Sequence, residues 1–213
     1  MGDFEAPASA PCFAGEFAEP DLRDPAAVAA WRKGERQRLL AERAARPVAG
    51  RAAIEAALRA HLDALLGDVA GRVVSGYWPI KGEPDLRGWM ADLHGRGATV
   101  ALPVVEVPKS PLVFRLWEPG AAMVRGHWNI PVPPAEAPAV TPEVALAPLV
   151  GWDGEGYRLG YGGGYFDRTL AALDPRPFVI GVGVQGARLA TIHPQPHDIR
   201  LDAIVTEAGV QVR

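Results

Sequence analysis

The chain has 213 residues, a length that suits one compact domain of ordinary size. Hydrophobic residues make up 48% and charged residues 22%, the balance of a soluble globular protein, and the formal net charge of -3 excludes the basic excess that a non-specific grip on nucleic acid needs. No apolar run approaches the ~20 residues of a membrane span, residues 1–20 offer no Lys or Arg to open a signal peptide, and Cys12 alone makes neither an internal disulfide nor a cysteine zinc site; a cytoplasmic monomer acting on small molecules, without a nucleic-acid or membrane partner, is expected.

Residues 1–23 are rich in Ala, Pro, Gly and acids and show no period, so a loose N-terminal extension is expected, followed by one domain over 24–213. Asp24-Pro25 reads as a helix start: Asp suits the N-cap and Pro the first helical position. This helix runs through Trp31 and Leu39 and ends before Pro47. A second helix covers 48–66, where Ile54, Leu58 and Leu62 make a buried stripe and Gly67 suits the position after the last turn.

The pattern then changes. Residues 73–78 read as a short strand ending at Pro79, 85–95 as a helix, 99–105 as a strand and 112–117 as another. The Pro-rich stretch 131–142 reads as a loop. Residues 144–150 read as a buried strand, with Pro148 implying an irregular or edge position. A glycine-rich loop follows, then a helix over 165–173 and strands over 178–184 and 203–206. His61 and His94 fall in helical stretches and read as structural or surface residues. Strands alternating with helices imply an α/β domain with a largely parallel central sheet flanked by helices.

The glycine-rich loop, from Gly151 to Arg168, sits after a strand and opens a helix, which is where α/β sheets bind ligands. Gly160, Gly162, Gly163 and Gly164 can bring backbone N–H groups onto a phosphate, and the helix N-terminus adds a favourable dipole. No Gly-Lys-Ser/Thr follows, and position 165 is Tyr, so neither the Walker A pattern nor G-x-G-x-x-G is present. A tight turn that merely needs glycine is the alternative. Arg158 and Arg168 can neutralise phosphate charge and Asp167 can hold Mg²⁺, although an acid in a first helical turn is favoured by the dipole alone. Arg32 and Arg36 share one helix face, a spacing equally common on solvated helices.

The run Arg158-Leu159-Gly160-Tyr161-Gly162-Gly163-Gly164-Tyr165-Phe166-Asp167-Arg168 resembles the signature of the 5-formyltetrahydrofolate cyclo-ligase family. Other pieces agree in order: Arg32 with Arg36, Tyr77-Trp78-Pro79 with Glu83, residues 128–133 from Trp128, Gln185, His197-Asp198, and 202–206. Together they cover about residues 30–207. Where the family usually has Lys, this chain has Arg32 with Lys33 beside it; Glu35 replaces a usual apolar residue; and Gly163 stands where some members carry Lys.

The resemblance implies a Rossmann-like domain related to the sugar-phosphate isomerase and CoA-transferase type. It implies ATP-dependent cyclisation of 5-formyltetrahydrofolate to 5,10-methenyltetrahydrofolate, through phosphorylation of the formyl oxygen, with Mg²⁺ as cofactor. It places ATP at Arg32, Lys33, Arg36 and residues Arg158, Leu159, Gly160, Tyr161, Gly162, Gly163, Gly164, Tyr165 and Phe166. Folate falls to Trp78, Glu83 and Trp128 together with Tyr161, the three glycines 162–164, and Tyr165. Asp167 and Asp198 would hold the metal, and Arg158, Asp167 and Arg168 would serve the chemistry. A paralogue acting on another formyl-amide, or a nucleotide-binding module without turnover, would share the loop.

Overall fold

The computed structural model describes residues 24–212, so the expected extension over 1–23 lies outside the described residues. Helix α1 spans Pro25–Ala44 and α2 spans Val48–Leu66. Asp24 caps α1, its carboxylate accepting from the N–H groups of Ala26 and Ala27 at 3.0 and 3.3 Å. Pro47 divides the two helices, and α2 stops at Gly67 with φ 61°.

Eight strands form the main sheet: β1 (Val73–Ser75), β2 (Thr99–Val104), β3 (Val113–Leu116), β6 (Ala139–Val140), β7 (Val144–Pro148), β10 (Phe178–Val182), β12 (Ala203–Thr206) and β13 (Gly209–Val212). Their order is β13-β12-β10-β7-β1-β2-β3-β6. The five strands from β12 to β2 pair in parallel; β13, β3 and β6 add antiparallel edges. Such a central sheet is buried on both faces, and its residues alternate between two cores. Val144, Leu146, Ile180 and Val205 meet Leu58 and Leu62 of α2 and Trp89, Met90 and Leu93 of α3 (Arg87–Gly95). Ala147, Val179 and Ile204 instead join the core that holds Leu39 of α1 and Leu170 of α4 (Tyr165–Ala172). Leu58 and Leu62 are fully buried, and Leu→Ala at either would cost ~2–5 kcal/mol.

Two expectations are corrected. The strand containing Pro148 is central, between β1 and β10, and not at an edge. Pro148 is tolerated because it is the strand's last residue. The Leu149 N–H donates to Val182 on the β10 side, so strand alternation turns the Pro148 nitrogen the other way. There β1 pairs only with Val144 and Ala145 and has already ended. The stretch expected as a loop over 131–142 contains two short strands: β5 (Pro131–Val132), paired with β4 (Val124–Arg125), and the edge strand β6.

A small second sheet was not foreseen: β11 (Arg188–Leu189), β8 (Gly151–Asp153) and β9 (Arg158–Leu159), in that order. Buried Asp153 fixes the turn between β8 and β9. One carboxylate oxygen accepts from the N–H groups of Glu155 and Tyr157, and the other from Ile192. This turn delivers Arg158 and the glycine loop to the carboxyl ends of the main strands. Among the described residues, no helix is long and apolar enough to cross a membrane.

Candidate active site

A cavity opens beyond the carboxyl ends of β1, β2 and β7, lined there by Tyr77, Trp78, Pro103, Val105 and Pro148. Gly76 suits this end of β1: a Cβ on it would sit 2.0 Å from the sulfur of buried Met90, so glycine lets the chain pass α3 and carry Tyr77 and Trp78 into the wall without displacing that side chain. The opposite wall is the glycine loop, residues 160–164, with Tyr165, Phe166 and Asp167 behind it. Gly162 and Gly164 have φ of 96° and 63°, which side-chain-bearing residues rarely adopt, and Gly164 is the residue from which α4 starts.

The basic end of the cavity is a set of paired charges. Arg32 is 8% exposed and grips Asp198 through both Nη atoms, at 3.2 and 2.5 Å. It also donates to the carbonyls of Ile192 and His193, both at 3.0 Å. Burial works against the Asp198 charge, but Arg32 and the Gln195 N–H hold its carboxyl below the usual carboxylate range. Arg158 is buried and donates to Asp167 at 2.9 Å, with its guanidinium over the Phe166 ring. Burial lowers the Arg158 pKa, while Asp167 and Asp198 raise it. Its Nε is buried without a hydrogen-bond partner. Arg36 donates from Nε to the Gly160 carbonyl at 2.7 Å, bracing the loop. The i, i+4 pair on α1 is therefore no solvated face.

At the other end lies Glu83, 6% exposed. Its oxygens accept from the Ile80 N–H and the Tyr161 hydroxyl, each at 2.9 Å. Desolvation pushes its carboxyl up to about 7, against the lowering effect of these bonds and of Arg43 and Lys81. Trp78 carries the Arg87 guanidinium on its ring. Trp128 is 59% exposed at a backbone φ of 55°, with its ring edge-on to Tyr165 at 5.6 Å. Gly163 allows that closure: a Cβ there would start 2.9 Å from the Tyr165 ring and 3.3 Å from Trp128.

Three expected residues do not reach the cavity wall. Lys33 is exposed on α1, one position round from Arg32. The Leu159 side chain is buried in the second core because strand alternation turns it away from the site. Arg168 lies behind the loop, donating to the Gly163 carbonyl and covering the Tyr165 ring, so it supports the loop's shape. Sequence reasoning missed Arg43, which is buried and donates to the Tyr161 hydroxyl at 3.2 Å. Its spacing from Arg32 and Arg36, eleven and seven residues, puts all three on one helix face and was the available signal. His61 and His94 are helical as expected; His61 Nδ1 lies 2.9 Å from the Thr206 carbonyl.

Comparison with known proteins agrees with this geometry. The profile of the 5-formyltetrahydrofolate cyclo-ligase family matches residues 28–207. A 5-formyltetrahydrofolate cyclo-ligase of Mycolicibacterium smegmatis is 33% identical over 178 residues, 80% of this chain and 91% of that protein. The 5,10-methenyltetrahydrofolate synthetase structure from Aquifex aeolicus superposes with a TM-score of 0.74 at 26% identity, covering 85% of this chain and 92% of that one. The synthetase from Mycoplasma pneumoniae shares the fold, with a TM-score of 0.67 at 22% identity over 83% of this chain and 98% of that one. The chain belongs to the 5-formyltetrahydrofolate cyclo-ligase family.

Proposed function

We propose that this chain uses ATP to close 5-formyltetrahydrofolate to 5,10-methenyltetrahydrofolate, releasing ADP and phosphate. The observation that carries this reading is that the glycine loop 160–164 and Glu83, joined through the Tyr161 hydroxyl, line one cavity with Arg32, Arg36 and Arg158 at its basic end. The triphosphate belongs at that basic end, against the loop's N–H groups and the start of α4. The pterin belongs beside Glu83, whose two oxygens can accept from a ring N–H and an exocyclic amine together. Trp78, Trp128 and Tyr165 offer faces for the rings between.

A formamide oxygen leaves poorly. It attacks the γ-phosphorus of ATP, ADP departs, and the formyl carbon becomes electrophilic. Nitrogen 10 then attacks that carbon, its proton is lost, phosphate leaves and the new ring carries the amidinium charge. The protein's part is to hold the reacting groups in line and to neutralise phosphate charge. Arg158 and Arg32 are now matched by Asp167 and Asp198; phosphate oxygens offer them the same bidentate partner.

Mg²⁺ would help neutralise the phosphates. Among the described residues no group of three or more His, Cys, Asp or Glu forms a closed metal cage. The site nonetheless fits this ion, which is commonly held by one or two carboxylates plus substrate phosphates: Asp167 and Asp198 both line the cavity. Asp167, here paired with Arg158, and Asp198 would hold the ion, which would supply charge neutralisation at the phosphates.

The direct test mixes purified protein with Mg²⁺, ATP and 5-formyltetrahydrofolate and follows the near-ultraviolet absorbance of the methenyl bridge. Product and ADP should appear one for one, and neither without the other substrate. ATP turnover only with a different formyl-amide would reassign the substrate. ATP binding without turnover on any formyl compound would leave a nucleotide-binding module.

A further inference from the structure

Arg43 sits in the last turns of α1, 4% exposed and outside the cavity wall. One Nη donates to the Tyr161 hydroxyl at 3.2 Å and the other to the Leu149 carbonyl, just past the end of β7. Its stem packs beside Gly82, where an added Cβ would lie 3.4 Å from the Arg43 Cγ. No described carboxylate lies within ion-pair distance of it. A buried guanidinium without a direct counter-ion is costly. An apolar side chain of similar length would fill the same space without that cost, so packing does not explain why arginine stands here.

The hydrogen-bond chain gives the explanation. Arg43 donates to the Tyr161 oxygen, and Tyr161 donates onward to Glu83 Oε1 at 2.9 Å. Tyr161 belongs to the glycine loop; Glu83 belongs to the segment between β1 and α3. The chain therefore ties α1, the loop and the pterin-side carboxylate together. We infer that Arg43 is a positioning residue which, acting through the Tyr161 hydroxyl, holds Glu83 in place and in its anionic form for the pterin. The inference rests on the folate reading of the site given above.

Other groups facing Glu83 cannot take over this role. Lys81 is on the same turn as Glu83, with its ammonium 5.4 Å from the Tyr161 ring centroid. Tyr77 lies at the end of β1 and spends its hydroxyl on the Pro84 carbonyl at 2.9 Å. The Ile80 N–H is neutral and holds the other oxygen. Among the described residues, Arg43 is the one cation linked to Glu83 by a chain of directed hydrogen bonds, through the Tyr161 hydroxyl. Burial already pushes the Glu83 carboxyl up to about 7, so the loss of that positive field would carry it above the neutral range.

The experiment measures kcat/KM for 5-formyltetrahydrofolate against pH in the wild type, Arg43→Met, Arg43→Lys and Tyr161→Phe. The acid limb reports the free-enzyme carboxyl. In Arg43→Met and Tyr161→Phe it should move upward by about one pH unit, and the folate KM at pH 7 should rise about tenfold. In Arg43→Met, whose side chain lies outside the cavity wall, the ATP KM and the kcat at high pH should change far less. Arg43→Lys keeps the charge and should recover most of the shift. Tyr161→Phe removes only the hydroxyl, so it remains informative if Arg43→Met fails to fold. An acid limb at the wild-type pH in Arg43→Met and Tyr161→Phe overturns the inference, as does Arg43→Lys titrating like Arg43→Met. The carboxyl ¹³C resonance of Glu83, titrated in ligand-free wild type and Tyr161→Phe, reads the same shift without turnover. A wild type inactive on this folate therefore sinks the functional reading alone.

Discussion

Glu83→Gln should weaken folate binding and, at alkaline pH, stabilise the protein. The carboxyl is 6% exposed, and burial raises its pKa from 4.5 to about 7. An acid raised in this way is protonated in the folded state and ionised in the unfolded state between those two pH values. Folding then takes up a proton, and the stability Glu83 permits is full below about pH 4.5 and declines as pH rises through 7. A displacement of this size corresponds to ~3 kcal/mol at a pH well above both values. Glutamine has no charge to bury. Its carbonyl can keep the Ile80 N–H and its amide can donate to the Tyr161 oxygen, so the loss of hydrogen bonding is small. The clean quantity is the change in the mutant-minus-wild-type difference with pH, because packing losses cancel in it. Denaturant unfolding at pH 5 and pH 8.5 should show that difference moving in favour of Gln by about 2 kcal/mol. Meanwhile the folate KM at pH 8 should rise ten- to a hundredfold, since a charge-assisted pair is worth ~1.5–3 kcal/mol, with the ATP KM little changed. A stability difference that is flat with pH would refute the burial argument. Equal effects on both Michaelis constants would refute the pterin assignment.

Asp167→Asn should lower turnover about a hundredfold or more, with circular dichroism unchanged, since it removes a charge from the end of the cavity proposed for the triphosphate; near-normal activity at limiting Mg²⁺ would remove Asp167 from metal binding. Chelation with excess EDTA should stop ADP formation, and added Mg²⁺ should restore it; turnover that persists under chelation would show that the arginines suffice. Deleting residues 1–23 should leave Tm and kcat close to wild type, because Asp24 caps α1 and the family profile begins at residue 28; a marked loss of either would show that those residues contribute to the enzyme.

The elements that could be read from sequence are those with a local physical cause. Asp24-Pro25, Pro47 and Gly67 fixed three helix ends because capping and φ restriction act within a few residues. The glycine loop was legible because four glycines between a strand and a helix, with charges at fixed offsets, have few other uses. The second sheet was not legible: β9 and β11 are two residues long, too short to show a period. Pro148 misled because its tolerance depends on where a neighbouring strand ends, which is a tertiary fact. Arg43 was hidden among the many basic residues of α1, where Arg32 and Arg43 are buried but Lys33 and Arg38 are exposed. Nothing in local sequence separates the two groups except the helix face, and that face is recognised only once Tyr161 and Asp198 are placed against it.

The cavity also explains why this protein keeps so much charge out of water. Arg32–Asp198 and Arg158–Asp167 are two buried pairs at its basic end, with side chains at most 15% exposed. Such pairs seldom stabilise a fold relative to apolar residues of the same size. On the proposed reading this arrangement suits a phosphate ligand: each arginine is held by a carboxylate whose place a phosphate oxygen can take, and the carboxylates would then be available to a metal ion. The Arg158 Nε, buried and without a hydrogen-bond partner, belongs to the same arrangement. Glu83, proposed above to meet the pterin, follows the same logic with opposite charge, its oxygens already lined up by Ile80 and Tyr161. The reorganisation that the reaction would otherwise demand is thus met largely on folding, and the protein's stability carries the difference.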